Sequence, residues 1–77
     1  MDKKQFILLL AQRTGLSIQE ARRALNACLE LIVSANSHRQ KVAFSDFGTF
    51  QVQHLPDPQE RWLPVFLPGE AFTQALS

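Results

Sequence analysis

"SDFGTFQV", residues 45–52, organises the rest of the chain. Its triplet Asp46-Phe47-Gly48 would hold magnesium in a protein kinase. Kinase chemistry also needs a glycine-rich loop, a Lys–Glu pair and a catalytic Asp-to-Asn loop, spread over a far longer domain. None of these stands in the 77 residues. The triplet is therefore punctuation between strands, with Gly48 supplying backbone freedom for a turn. After it, "TFQVQH" (49–54) alternates, with Phe50 and Val52 inward and Thr49, Gln51 and Gln53 outward. Before it, Val42 and Phe44 share one face while Lys41, Ala43 and Ser45 share the other. The pattern predicts two antiparallel strands around a tight turn.

On the C-terminal side, "LPDPQE" (55–60) holds two prolines in six residues and cannot continue a strand. It is the next turn, with Pro56 and Pro58 as turn formers. "RWLPVF" (61–66) predicts a third strand, and Pro64 argues for an edge or a bulge there. Pro68-Gly69 then opens a short helix in which Ala71, Phe72, Ala75 and Leu76 recur at helical spacing.

On the N-terminal side the period is helical. Asp2 suits an N-cap with Gln5 three residues on, and Gly15 suits the left-handed residue that ends a helix over about residues 3–14. Ser17-Ile18-Gln19-Glu20 is a capping box for a second helix running to about Asn36. Ala21, Ala24, Leu25, Cys28, Ile32 and Ala35 form its apolar stripe, which Leu29 and Leu31 widen. So wide a stripe implies more than one packing neighbour. The fold class is α+β: two helices, a three-stranded antiparallel sheet and a short C-terminal helix, in one domain spanning residues 1–77.

A lone core in a chain this short is marginal. Cys28 is the only cysteine, so no intrachain disulfide can help, and the separated His38 and His54 form no visible metal-ligand set. No metal and no cofactor is expected. With 45% apolar and 19% charged residues, sharing a core with a second copy is the remaining route. No stretch approaches the roughly 20 apolar residues of a membrane span, so a cytoplasmic location and no membrane partner are expected. The net charge of +1 hides an asymmetry: the cations concentrate in residues 1–41, whereas Arg61 stands alone against Asp46, Asp57, Glu60 and Glu70 in residues 42–77.

Taken together, Lys3, "LS" before a capped second helix, "RAL" at 23–25, "KV" at 41–42, "FGTFQV" at 47–52 and "LPVFLPGEAFTQAL" at 63–76 resemble the histone-like HU and integration host factor family of bacterial DNA-binding proteins. The resemblance implies an intertwined dimer. Leu25, Leu29, Ile32, Phe44, Phe47, Phe50 and Phe66 would line its shared core. A homodimer is the default, since one sequence leaves a paralogous partner open. It also implies binding to double-stranded DNA, in the nucleoid, and no enzymatic activity.

The chain departs from the family where DNA contact would concentrate. Family members wrap the duplex with two long β-ribbon arms that are rich in basic residues and carry a proline wedge near each tip. From Gln53 to Leu63 there are only eleven residues, so this is an armless variant. The candidate phosphate contacts that remain are Lys3, Arg23, Arg39, Lys41 and Arg61, with ordinary solvated surface charge as the alternative. Pairing with Glu20 could absorb part of the charge of Arg22 and Arg23. Trp62 either covers the sheet or joins Leu55 and Leu63 in an exposed apolar patch for a protein partner. Cys28 is expected as a small core residue, with a reactive thiol as the alternative.

Two functions follow. One is a dimeric DNA-binding protein making weak, non-sequence-specific backbone contacts without arm-driven bending. The other is an interaction or structural module on the same fold that has lost DNA binding.

Overall fold

The computed structural model describes residues 1–77. Its elements are α1 (Lys3–Thr14), α2 (Ile18–Ser37), β1 (Val42–Phe44), β2 (Gly48–Leu55), β3 (Arg61–Pro68) and α3 (Glu70–Ala75). The residues divide into two compact units, Met1–Leu31 and Ile32–Ser77.

In the first unit the predicted caps form. The Gln5 amide donates to Asp2 Oδ1 at 2.8 Å, and Gly15, at φ 78°, donates its N–H to Ala11 O. Ser17 N donates to Glu20 Oε1 at 2.9 Å while Glu20 N donates to Ser17 Oγ at 3.0 Å, closing the capping box. That bond to Ser17 is what holds the Glu20 carboxyl below its ordinary value. Glu20 therefore serves the helix start, and Arg22 Nη1 donates to Gln19 Oε1 instead. Ile7 and Ala11, one turn apart on α1, bury against Ala21 of α2, with Leu10 and Leu25 packed around them. Ala21 is fully buried, so nothing larger than its methyl fits that approach. Cys28 corrects the expectation from sequence: it is exposed.

In the second unit the sheet order is β1-β2-β3, wholly antiparallel. β3 is an edge strand, which is how Pro64 is tolerated. β2 and β3 both run longer than the alternation predicts, to Leu55 and to Pro68. The ladder also corrects the assignment of faces. Thr49, Gln51 and Gln53 pair with Leu67, Val65 and Leu63, so the supposed polar face is apolar across the strand, and Thr49 and Gln51 are half-buried. The opposite face carries Val42, Phe50 and Phe66, continued by Val52 with Pro64 and by His54 with Trp62.

The Asp46-Phe47-Gly48 turn does more than reverse the chain. Phe47 N donates to Phe44 O to close it. Asp46 adopts the left-handed region at φ 66°, which a short polar side chain tolerates. Its carbonyls then hold the C-terminal helix: Phe47 O accepts from Gly69 N at 2.7 Å and Asp46 O from Ala71 N at 2.9 Å. Phe72 of α3 meets Phe47 at 5.4 Å and Phe66 at 5.8 Å between ring centroids. Phe47–Phe66 at 5.5 Å and Phe50–Phe66 at 4.8 Å complete the cluster.

Asn36 is a tie that sequence reasoning missed. Its Nδ2 donates to Gln40 O at 2.8 Å and to Phe50 O at 3.1 Å, fastening the end of α2 to the central strand.

Candidate nucleic-acid interface

The cations fall into groups by unit. In the first, Lys3 lines a groove of about 290 Å³ with Lys4, Ile7, Arg22 and Asn26. Capping places Lys3 and Lys4 at the first turn of α1, and Arg22 lies one turn into α2. Arg22, not Arg23, joins Lys3 there. The helical phase of α2 could have shown this: Arg22 flanks the face of the buried Ala21, about 100° from it, with Asn26 one turn on, whereas Arg23 lies about 200° away. Arg23 is exposed elsewhere on α2.

In the second unit, Arg39 and Lys41 lie between α2 and β1. Arg39 takes a left-handed conformation, φ 64°, and its Nη1 donates to Ser37 O at 2.9 Å. Its guanidinium carbon sits 4.1 Å from the centroid of the Trp62 ring, and that ring lies 4.8 Å from His54. Trp62 therefore does not join Leu55 and Leu63. Successive strand residues face opposite ways, so Leu63, paired with Gln53, and Leu55, paired with Arg61, share the face away from the His54–Trp62 pair.

β2 and β3 close through residues 56–60. Asp57 and Glu60 stand in that turn, and the hydrogen bond that a protonated Glu60 donates to the Asp57 carboxylate, together with slight desolvation, raises the Glu60 carboxyl above its ordinary value. Arg61, the first residue of β3, adjoins this acidic tip.

The residues expected in a shared core are largely uncovered in a single copy. Leu29, Phe44 and Phe47 are each 44–48% exposed, Ile32, Phe50 and Phe66 are half-buried, and Leu25 packs on the first unit's own core. No helix is long and apolar enough to cross a membrane.

Two capped helices followed by a three-stranded antiparallel sheet with a turn-anchored C-terminal helix define a class of small α+β proteins. The chain matches the bacterial DNA-binding protein family over residues 1–61 and belongs to it, on its HU side. That is a family of DNA-binding architectural proteins and not of enzymes. DNA-binding protein HU-alpha of Vibrio proteolyticus is 37% identical over 54 residues, which cover 70% of this chain and 60% of the relative. The matched stretch thus spans less than two thirds of that relative's length. HU from Thermotoga maritima superposes with a TM-score of 0.85, and a point mutant of it with 0.89, each at 28% identity over 100% of both chains. HU from Anabaena, solved in a cocrystal with DNA, gives 0.86 at 24% identity over 100% of this chain and 98% of that one. This last likeness is one of fold.

Proposed function

We propose that the chain pairs with a second copy of itself and binds double-stranded DNA weakly, through contacts to the phosphate backbone that are independent of sequence. Binding leaves the duplex without the sharp bend that long arms impose. The observation that carries this reading is the closure of the ribbon at Leu55 and Arg61. Beyond its pairing with β1, which ends at Phe50, β2 runs only five more residues. That is about 17 Å of strand, too little to follow a groove around the duplex. The turn that ends it is acidic. Contact then falls to the body: to Lys3 beside Lys4 and Arg22, to Arg23, to Arg39 and Lys41, and at most weakly to Arg61 beside Glu60.

Pairing is supported by the apolar surface that one copy leaves open. On the apolar stripe of α2, Leu29 is 44% and Leu31 69% exposed, and Ile32 is only half-buried. Covering such a stripe together with Phe44 and Phe47 is the main favourable term available to a chain this small. DNA binding is supported by family membership and by the HU–DNA cocrystal among the structural relatives.

The test is fluorescence anisotropy of a labelled duplex of roughly 30 base pairs at low and at physiological salt, where each neutralised phosphate adds about 0.9 to the salt slope. Binding should weaken steeply with salt and with the pair Arg39→Gln and Lys41→Gln. Energy transfer between dyes on the duplex ends should stay near its free value. Absence of binding at low salt would refute the reading and leave the fold to protein interaction, the function that the Asp57–Glu60 tip would then serve.

A further inference from the structure

Arg39 and Trp62 are distant in sequence and meet in the second unit. Arg39 follows α2 in the position where glycine or asparagine usually accepts the left-handed conformation, and its φ of 64° is unfavourable for a residue with a β-carbon. An unfavourable backbone persists where the surrounding contacts determine it. Here the backbone bonds Arg39 N to Asn36 O and Gln40 N to Ala35 O close the end of α2 around that conformation, and the side chain is held by the hydrogen bond from Nη1 to Ser37 O and the indole 4.1 Å from the guanidinium carbon. The indole is fixed in turn by the β2–β3 ladder, where Trp62 pairs with His54. One of the five guanidinium N–H donors is used on Ser37, and Arg39 remains exposed.

We infer that Trp62 is a positioning residue for nucleic-acid binding: its indole holds the Arg39 guanidinium in place, so that the free edge of the fork meets a backbone phosphate without first losing side-chain freedom. The inference rests on the DNA-binding reading and deepens it. A stacked guanidinium keeps its planar donor face, which suits a phosphate's two oxygens, whereas lysine offers a point charge that an indole orients less well. An immobilised side chain also spares the ordering cost that a solvated arginine meets on binding. Trp62 thus does for one cation what a longer basic ribbon would do with many.

The experiment is a double-mutant cycle on the full chain, read by anisotropy with a labelled DNA duplex. Trp62→Leu, which alters no charge, should weaken binding about three- to ten-fold, the range that one cation–π contact supplies. Trp62→Phe should retain most of the affinity. Arg39→Gln should weaken binding and lower the salt slope by about 0.9 per site, and Arg39→Lys should restore the slope without restoring the affinity. The double variant Arg39→Gln, Trp62→Leu should be no weaker than Arg39→Gln alone, because the indole acts through the arginine. Trp62 is the only tryptophan, so emission from the unaltered protein should change on adding duplex, and that change should vanish in Arg39→Gln. This readout stands even if Trp62→Leu folds poorly. Unchanged affinity in Trp62→Leu, additive losses in the double variant, or unchanged emission on binding would overturn the inference alone. No binding by the unaltered protein at low salt would overturn the DNA reading and the inference with it.

Discussion

Alanine in place of each of the three glycines separates two costs that usually arrive together. At Gly15, φ is 78° and a β-carbon would meet nothing within 4 Å, so Gly15→Ala isolates left-handed strain, about 1–2 kcal/mol. At Gly69 the backbone is ordinary, φ −86°, but a β-carbon would collide with the Asp46 carbonyl oxygen and lie 2.9 Å from the Phe47 carbonyl carbon. Gly69→Ala isolates the close approach, and separating the turn from α3 should cost about 2 kcal/mol. Gly48 combines both. Its φ is 156°, and a β-carbon would lie 2.5 Å from Phe66 Cζ and 2.7 Å from Leu67 O. The ring can swing aside, whereas the carbonyl belongs to the ladder, in which Gly48 pairs with Pro68. Strain of about 1–3 kcal/mol plus overpacking of similar size predicts a loss of about 4 kcal/mol for Gly48→Ala. A chain of this length has a total stability of about 4–12 kcal/mol, so the variant should be barely folded. The assay is urea unfolding followed by circular dichroism, with all four proteins at one concentration because pairing couples stability to concentration. Equal midpoints for Gly48→Ala and Gly15→Ala would refute the close approach at the turn, and a neutral Gly69→Ala would refute the clamp between that turn and α3.

Other consequences can be checked on the same material. If the exposed aliphatic and aromatic surface is shared between copies, the thermal midpoint should rise with protein concentration, and a concentration-independent midpoint with a monomeric mass would defeat the dimer. Phe47→Ala removes a ring that touches Phe44, Phe66 and Phe72 and should cost about 3–5 kcal/mol; a near-neutral unfolding curve would show that the cluster is not a core. The two shifted carboxyls have opposite signs. Glu20, lowered by its bonds to Ser17, contributes stability above the ordinary carboxylate value that is lost as pH falls through its folded value. Glu60, raised beside Asp57, works against stability when charged, and this is relieved as pH falls through its raised value. In melts at neutral pH, Glu20→Gln should therefore lower the midpoint and Glu60→Gln raise it slightly; shifts of the same sign would contradict the two environments.

Local chemistry made much of this fold legible in the sequence. Asp2, Gly15 and the Ser17–Glu20 box act within a few residues, and each forms as its spacing demands. Strand faces were only half legible. Alternation in β2 marks Phe50 and Val52, but it cannot show that β3 sets Leu63, Val65 and Leu67 opposite Gln53, Gln51 and Thr49. That depends on register, which the turn over residues 56–60 sets. The same limit separated Trp62 from Leu55 and Leu63, which are close in sequence and on opposite faces. It also hid the approach of Trp62 to Arg39, a contact between residues of different elements that no period announces. Asn36 escaped because an amide in the last turn of a helix usually serves only that turn, and its second bond reaches Phe50 fourteen residues on.

The short connection between β2 and β3 and the exposure of the aromatic cluster bear on one another. A long ribbon that wraps DNA needs a rigid base, and the base here is intact: the Asp46–Gly48 turn grips α3 through two backbone bonds, and Phe44, Phe47, Phe50, Phe66 and Phe72 meet one another edge-on or tilted. Were the fold kept only as a monomeric scaffold, leaving Phe44 and Phe47 nearly half exposed would cost solubility for no return. Their exposure makes sense if a second copy covers them, and pairing doubles every cation on the body. On the proposed reading, for a chain of net charge +1, that doubling would be the principal source of phosphate affinity. On that reading the dimer and the DNA contact stand or fall together: a variant that stays folded but monomeric should lose duplex binding even with Lys3, Arg39 and Lys41 all in place.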